Sequence, residues 1–436
     1  MTTVPFFSKM SAATVFRRLT EGVETPMSAM IEIADRCNEV CVHCYQIQGQ
    51  KGEMTTEQVK TVLDELAEMG VMFLTISGGE ATLRSDFLEI VAHARKLKFA
   101  VKLYTNGLTM TPALAQALGD LAVQEVQISL YSVRADKHDW VTRVPGSWEK
   151  TVAGVRNLVA ARVAVMLKTP IMSFNVDEAP EYRALAERLG ADFAFDPGGL
   201  DPREDGDRGP EALEVREDQI LRIMRDPSLS PQVPADAMPS RPLDETVCGA
   251  CTGSVHIEAN GEIRPCTQMT VDCGNAVTDG VRAALATNAN GRVIRALTWR
   301  DLHGCRDCDL QPYCGRCYAR AHTTTGDALG PYERACSSAR RSYELRRGRA
   351  PEVVPGDGQN RDPRLGPYQQ VGPGTFAPIQ DVVTAADRAL AAEHAWIRRA
   401  NGPTAAPMPA GPGGLIQIRR PGRKRAENET VPSSSE

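Results

Sequence analysis

Twelve cysteines fall into two groups along 436 residues, and the gap between the groups limits what this chain can fold into. Three stand at Cys37, Cys41 and Cys44, none lies between Cys44 and Cys248, and nine lie between Cys248 and Cys336. Such a break reads as two modules, one carrying a single group of thiols and one organised around metal. No apolar run approaches the ~20 residues that a membrane span needs. The N-terminal run Met-Thr-Thr-Val-Pro-Phe-Phe lacks the apolar stretch and small-residue cleavage site of a signal peptide. A cytoplasmic location is therefore expected, where thiols stay reduced, and metal ligation accounts for the cysteines better than disulfides do.

The first group occupies Ile33-Ala-Asp-Arg-Cys37-Asn-Glu-Val-Cys41-Val-His-Cys44-Tyr45, directly after a β-like run over 29–34. An iron–sulfur cluster held by four thiolates is coordinatively closed. One held by three keeps an iron free for a further ligand, much as a catalytic zinc keeps an open position. A structural zinc knuckle, or three unrelated buried cysteines, is the plainer alternative.

The chain has length for about two or three domains, and 42% hydrophobic residues is ordinary for a packed core. A formal charge of -5 argues against a nucleic-acid surface over the whole chain. Between the cysteine groups, β-like runs at 29–34, 72–77, 101–105, 126–130, 163–168 and 192–195 alternate with helix-period segments at 56–69, 86–96, 112–118, 149–160 and 179–189. Strands alternating with helices imply βαβ units and a parallel sheet. Six strands are too few for a closed eight-stranded barrel. In such sheets chemistry gathers at the carboxyl ends of the strands. After the second strand comes Ser77-Gly78-Gly79-Glu80, whose glycines let the backbone approach a neighbour closely. The third ends in Tyr104-Thr105-Asn106-Gly107, an ordinary turn signal. The fourth carries a polar Ser129 before Tyr131, and His138-Asp139-Trp140-Val-Thr-Arg143 follows. Asn175 and Asp196, after the fifth and sixth strands, suit turn or capping roles.

In the second group, Cys251, nine residues, Gly261, four residues and Cys266 enclose Asn260-Gly261, a hairpin signal. Cys305-x2-Cys308-x5-Cys314-x2-Cys317 and then Cys336 follow. Alone, paired Cys-x2-Cys units also suit a zinc ribbon. Cys273 is left over and reads as a buried, inert thiol.

Cys-x3-Cys-x2-Cys-aromatic, followed one strand later by Gly-Gly-Glu, resembles the radical S-adenosylmethionine (SAM) superfamily, and the later cysteines resemble its SPASM extension. The resemblance covers residues from about 28 to 345. It implies an α/β fold, a partial (βα)6 TIM-like barrel followed by a small cysteine-rich SPASM domain with a β-hairpin and helices. It implies a SAM-binding [4Fe-4S] cluster on Cys37, Cys41 and Cys44, with Tyr45, Gly78, Gly79, Glu80, Ser129 and Arg143 toward SAM. It further implies two auxiliary [4Fe-4S] clusters, one on Cys248, Cys251, Cys266 and Cys317 and one on Cys305, Cys308, Cys314 and Cys336. Two departures stand out: two residues rather than three separate Cys314 from Cys317, and Cys248 lies three residues before Cys251. Ala81 also stands where the family more often has proline.

The domain boundaries expected are 1–27 lead-in, 28–200 partial barrel, 201–247 acidic bridge with a short helix near 213–225, 248–347 auxiliary-cluster domain and 348–436 tail. The tail is too rich in proline and glycine to order itself, apart from a helical pattern over 379–399. Its basic cluster at 419–425 reads as solvated.

The resemblance implies an enzyme that reductively cleaves SAM to a 5'-deoxyadenosyl radical and abstracts a substrate hydrogen, most readily from a ribosomal peptide or protein side chain. An external electron donor such as flavodoxin or ferredoxin is expected, with no nucleic acid and no membrane. Fewer than 30 residues precede the first strand, so a separate recognition protein or a leader-independent substrate is required. The sulfatase-activating branch has an aspartate after the hairpin cysteine, where this chain has Thr267, and no catalytic base is identified. A maturase of a small metabolite would share these motifs, with a closed pocket in place of a groove. A noncatalytic iron–sulfur or zinc scaffold would make Gly78, Gly79 and Glu80 coincidental.

Overall fold

The computed structural model describes residues 26–196, 199–226, 229 and 240–351. The expected helix over 379–399, the basic cluster at 419–425 and residues 1–25 lie outside the described residues.

Six parallel strands alternate with helices: β1 (Ser28–Ala34), β2 (Phe73–Gly78), β3 (Ala100–Thr105), β4 (Glu125–Ser129), β5 (Val165–Pro170) and β6 (Asp192–Asp196). The helices between them are α1 (Thr56–Glu68), α2 (Phe87–Lys96), α3 (Pro112–Asp120), α4 (Ala135–Thr142), α5 (Ser147–Ala160) and α6 (Ala179–Leu189). Helix α1 shows why these segments form. The Thr55 hydroxyl accepts from the Gln58 N–H, and the Gln58 side chain accepts from the Thr55 N–H, satisfying two donors that a helix start leaves open. Val59, Val62, Leu63 and Leu66 then recur on one face and are buried, each contributing about 1.5–3 kcal/mol.

The two faces of the sheet differ in chemistry. Toward the helices point Ile31 and Ile33, Leu74 and Ile76, Val101 and Leu103, and Val126 and Ile128, all within 1% of full burial. The other face carries Met30 and Glu32, Thr75 and Ser77, Lys102 and Tyr104, and Gln127 and Ser129, joined by register pairs such as Thr75↔Lys102 and Tyr104↔Gln127. A parallel sheet covered by apolar packing on both sides reads as continuous hydrophobic runs. Here one face is polar.

The principal difference from expectation concerns the hairpin. Strands β7 (Ser254–Ile257) and β8 (Ile263–Arg264) pair antiparallel, and Gly261 takes a positive φ of 87° in the connecting turn. But β7 also pairs parallel with β1, through Ser28↔Ser254 and Met30↔His256, giving one sheet in the order β6-β5-β4-β3-β2-β1-β7-β8. The cysteine-rich segment thus begins as an extension of the first sheet. The segment around Arg143 also differs: 135–142 forms α4, and Arg143 ends it at φ 63°. The bridge holds a 3-10 turn at Gly209–Leu213 and a helix α7 (Glu217–Arg225). Beyond the hairpin come α8 (Val281–Thr287), α9 (Ala289–Ala296), α10 (Tyr318–Thr325) and α11 (Glu333–Arg347).

Candidate active site

The cysteine triplet and the Gly-Gly-Glu segment meet at the carboxyl ends of β1 and β2. A Cβ on Gly79 would stand 2.5 Å from the Arg36 carbonyl oxygen, and one on Gly78 would stand 2.4 Å from that of Ala34. Only glycine admits that approach. It is fixed by the Gly79 N–H on the Ala34 oxygen at 2.8 Å and the Glu80 N–H on the Arg36 oxygen at 2.9 Å. The glycines therefore serve first to let the cysteine loop close onto β2.

Glu80 is 1% exposed. Its carboxylate accepts from Thr82 N–H at 3.1 Å, Thr105 Oγ1 at 2.8 Å and Asn106 N–H at 2.8 Å, linking the ends of β2 and β3. Burial raises its pKa despite these bonds. Asn106 in turn donates to Asn38 Oδ1 at 2.6 Å and lies 3.8 Å from Cys37 Sγ. Tyr131 places its hydroxyl 3.8 Å from Cys41 Sγ, and Glu39 approaches the same sulfur at 3.3 Å. Val40 and Val42 hydrogen-bond to the last turn of α4, at Thr142 and Val141.

Of the other residues read toward SAM, Tyr45 is tied through its carbonyl to the Glu204 N–H at 2.9 Å. Ser129 lies on the polar face and its hydroxyl meets that of Tyr131. Arg143 is exposed, with its guanidinium 4.9 Å from the Trp140 ring centre, one residue after the Thr142 carbonyl that accepts from Val40 of the triplet loop. Asn175 bonds the carbonyls of Tyr131 and Pro170 and the N–H of Met172, which is a turn role. Sequence reasoning gave no role to Glu39, Glu204 or Tyr131. Only Tyr131, a polar aromatic one residue past an apolar strand, left a signal.

The second-half thiols also gather in groups. Cys305, Cys308, Cys314 and Cys336 line one pocket, with Trp299, Arg316 and Tyr332. Cys248 and Cys266 feel the charge of each other and of Cys317, and Cys248 also that of Cys251. Arg316, 5% exposed, donates to the Ala328 carbonyl at 2.7 Å and acts electrostatically on Cys248, Cys305 and Cys314. Burial pushes the thiol of Cys248 up to about 11 and those of Cys37, Cys266, Cys314 and Cys336 up to about 12. Such thiols ionise at neutral pH only beside strong positive charge, which bound iron supplies. Among the described residues, no three His, Cys, Asp or Glu side chains are placed to hold a single metal ion. The four thiols around that pocket are the donor set of a cluster, whose ligands surround a larger body than a single ion.

Residues 31–186 match the family described as the Radical SAM superfamily. The chain is 29% identical over 327 residues to the AdoMet-dependent heme synthase of Methanosarcina barkeri, covering 68% of this chain and 93% of that protein. It is 37% identical over 180 residues to the mycofactocin maturase MftC of Mycobacterium tuberculosis, covering 41% of this chain and 46% of the maturase. The structure of Streptococcus suis SuiB bound to precursor peptide SuiA shares the fold, with a TM-score of 0.58 at 13% identity over 74% of this chain and 78% of that one. With the triplet loop closed onto Gly78-Gly79-Glu80, residues 31–186 of this chain form a radical SAM domain.

Proposed function

We propose that this enzyme cleaves SAM reductively and removes a hydrogen atom from a ribosomal peptide or protein side chain. Supporting the reading is one observation above others: three cysteines on a loop that β2 glycines hold at the end of β1, beside an open polar sheet face. Cys37, Cys41 and Cys44 would hold a [4Fe-4S] cluster, which would supply the electron for reductive cleavage of SAM.

The chain's own residues position and enclose. Glu80, locked by Thr105 and Asn106, presents the Gly78–Glu80 backbone to the methionyl end of SAM. The polar face, with Lys168 4.7 Å over the Tyr104 ring and Lys102 3.3 Å from Glu125, receives the substrate. The apolar helix-side core keeps the strand ends rigid, so that the reacting carbon and hydrogen stay within about 3–3.5 Å. Two further clusters are assigned to the second-half cysteines, three per chain in all. They would give the substrate electron a path to an external acceptor protein.

A second reading, a small metabolite as substrate, is favoured by the match to the AdoMet-dependent heme synthase along 93% of its length. Anaerobic reconstitution tests the main reading. About twelve irons per chain are expected, falling by about four in the C37A/C41A/C44A variant with loss of dithionite-driven 5'-deoxyadenosine formation. Zinc in place of iron, or cleavage that survives the triple substitution, overturns it. Stimulation of SAM cleavage by the peptide fraction of an anaerobic extract, against its low-mass fraction, separates the two substrate classes.

A further inference from the structure

We infer that Arg84 is a positioning residue for the candidate site: its buried guanidinium clamps both ends of the cysteine loop and holds that loop in place against Gly78–Glu80. The consequence for rate rests on the proposed function, whereas the clamp rests on this chain's own contacts.

The loop that carries Cys37, Cys41 and Cys44 leaves β1 at Ala34 and reaches α1 at Thr56. Bringing the ends of a long loop together costs entropy, so something must hold them. Arg84, 8% exposed, stands between them. Its Nη1 donates to the Ile33 carbonyl oxygen at 2.8 Å, just before the loop, and to that of Met54 at 2.9 Å, just after it. Nε and Nη2 donate to the two carboxylate oxygens of Asp86 at 2.8 Å and 2.6 Å. Four of the five N–H groups of the guanidinium are thereby used. A lysine, a point charge on a flexible stem, cannot serve a carboxylate with a fork and two carbonyls at once.

The clamp is anchored at both ends. Asp86 also accepts from the Thr56 hydroxyl at 2.5 Å, and its bonds to Arg84 hold its carboxyl down to about 2, so it stays an anion at neutral pH. On the loop side, Asp35 accepts from the N–H groups of Lys51 at 2.6 Å and Gly52 at 3.1 Å. Glu53 accepts from the Asp35 N–H at 3.1 Å and lies 3.6 Å from Arg84 Nη1. The same turn of chain carries the other half of the site. Residues 81–83 form one 3-10 turn, which Glu80 caps by accepting the Thr82 N–H and which Arg84 ends by donating its N–H to the Ala81 carbonyl. Displacing Arg84 therefore shifts the loop neck relative to the Gly78–Glu80 backbone.

Hydrogen–deuterium exchange of the iron-free full chain, read by mass spectrometry, tests the clamp in wild type, R84A and R84K. In R84A the amides of residues 35–54 should exchange at least about 10²-fold faster, because two bonds from a charged donor are lost, while those of β3, β4 and α5 stay within about threefold of wild type. R84K, which keeps the charge and loses the fork, should fall between the two. Guanidinium chloride, far below its denaturing range, should return part of the R84A protection where equimolar sodium chloride does not; a side chain that only filled space would give no such difference. In the iron-loaded protein, R84A should form 5'-deoxyadenosine about 10²-fold more slowly per bound iron. Loop exchange unchanged in R84A, a rise shared equally by β3, β4 and α5, or no difference between the two salts overturns the inference, as does faster loop exchange with cleavage per iron unchanged. If R84A loses its far-UV circular dichroism, R84K decides by the same comparison of loop with strands. Wild-type protein that binds iron yet forms no 5'-deoxyadenosine overturns the proposed function, and the exchange data still decide the clamp.

Discussion

Replacing Gly79 by alanine tests whether the closure of the cysteine loop onto β2 organises the site. The new Cβ would meet the Arg36 carbonyl oxygen at 2.5 Å, its carbon at 2.8 Å and Cys37 Cβ at 3.2 Å. Reaching the 3.0–3.4 Å range of tight contacts requires the loop to retreat by about 0.5–0.9 Å. The retreat strains the Gly79 N–H to Ala34 and Glu80 N–H to Arg36 bonds, each contributing about 1 kcal/mol, and overpacking adds about 1–3 kcal/mol. A loss of about 3 kcal/mol is expected, lowering the melting temperature by roughly 6–12 °C. The effect on rate should be larger, because a displacement near 1 Å costs about 10²-fold where geometry controls reaction. Dithionite-driven 5'-deoxyadenosine formation, normalised to bound iron, measures it. A G79A protein that keeps its iron and cleaves SAM within twofold of wild type would refute the argument.

Three further outcomes are expected. Glu32, 5% exposed, has its pKa raised to about 8, chiefly by burial and then by the Glu258 charge. The folded state therefore binds its proton more tightly than the unfolded chain, and the resulting stability is full below 4.5 and lost as pH rises through about 8. E32Q should gain on wild type across that interval, by up to about 5 kcal/mol, and urea titrations with equal pH slopes for both would sink the assignment. N175A leaves the buried Tyr131 carbonyl without its side-chain donor and takes one of two from the Pro170 carbonyl, which keeps the Thr169 hydroxyl, so a loss of about 1–3 kcal/mol is expected in thermal melts. G291A should raise the melting temperature slightly, since the added Cβ meets only Cys273 at ordinary contact distance and removes helix entropy worth up to about 1 kcal/mol; a fall would show the Cys273 site to be tighter than drawn.

Local patterns carried most of the fold. All six parallel strands and five of their helices were visible as alternating periodicities, with boundaries shifted by one or two residues. Helix α4 was not. It has only eight residues and no strong apolar stripe, and its role in seating Val40 and Val42 comes from contacts distant in sequence. The joining of β7 to β1 was equally invisible, because its partners are separated by more than 220 residues and a strand carries no label for its neighbour. The triplet and Gly78–Glu80 were legible because their chemistry needs fixed residue types at short spacing. Their supports were less so: Glu39 lies on the loop itself but at no position the cysteine spacing marks, and Tyr131 and Glu204 reach the loop from distant parts of the chain.

The β1–β7 joint also explains why a lysine outside every motif should matter. Lys51 follows the cysteine loop and bonds Glu204 of the bridge at 2.8 Å and Glu258 of the hairpin at 3.1 Å. Glu258 raises the pKa of Glu32 on β1, and Lys51 opposes that effect. Lys51 thus faces three carboxylates contributed by strand, bridge and hairpin, of which Glu258 also has Arg264 at 3.5 Å. In K51M these carboxylates face one another without it, and breaking a buried pair in this way costs about 3–5 kcal/mol. The cost must depend on pH. Near pH 5 Glu32 is protonated and the repulsion is weak; above about 8 it is charged and the full penalty appears. Urea denaturation of K51M at pH 5 and pH 8.5 should therefore give a larger loss at the higher pH, and adding E32Q should recover much of it. A loss independent of pH, or one that E32Q leaves unchanged, would mean that Lys51 stabilises the joint by packing its aliphatic stem and not by its charge.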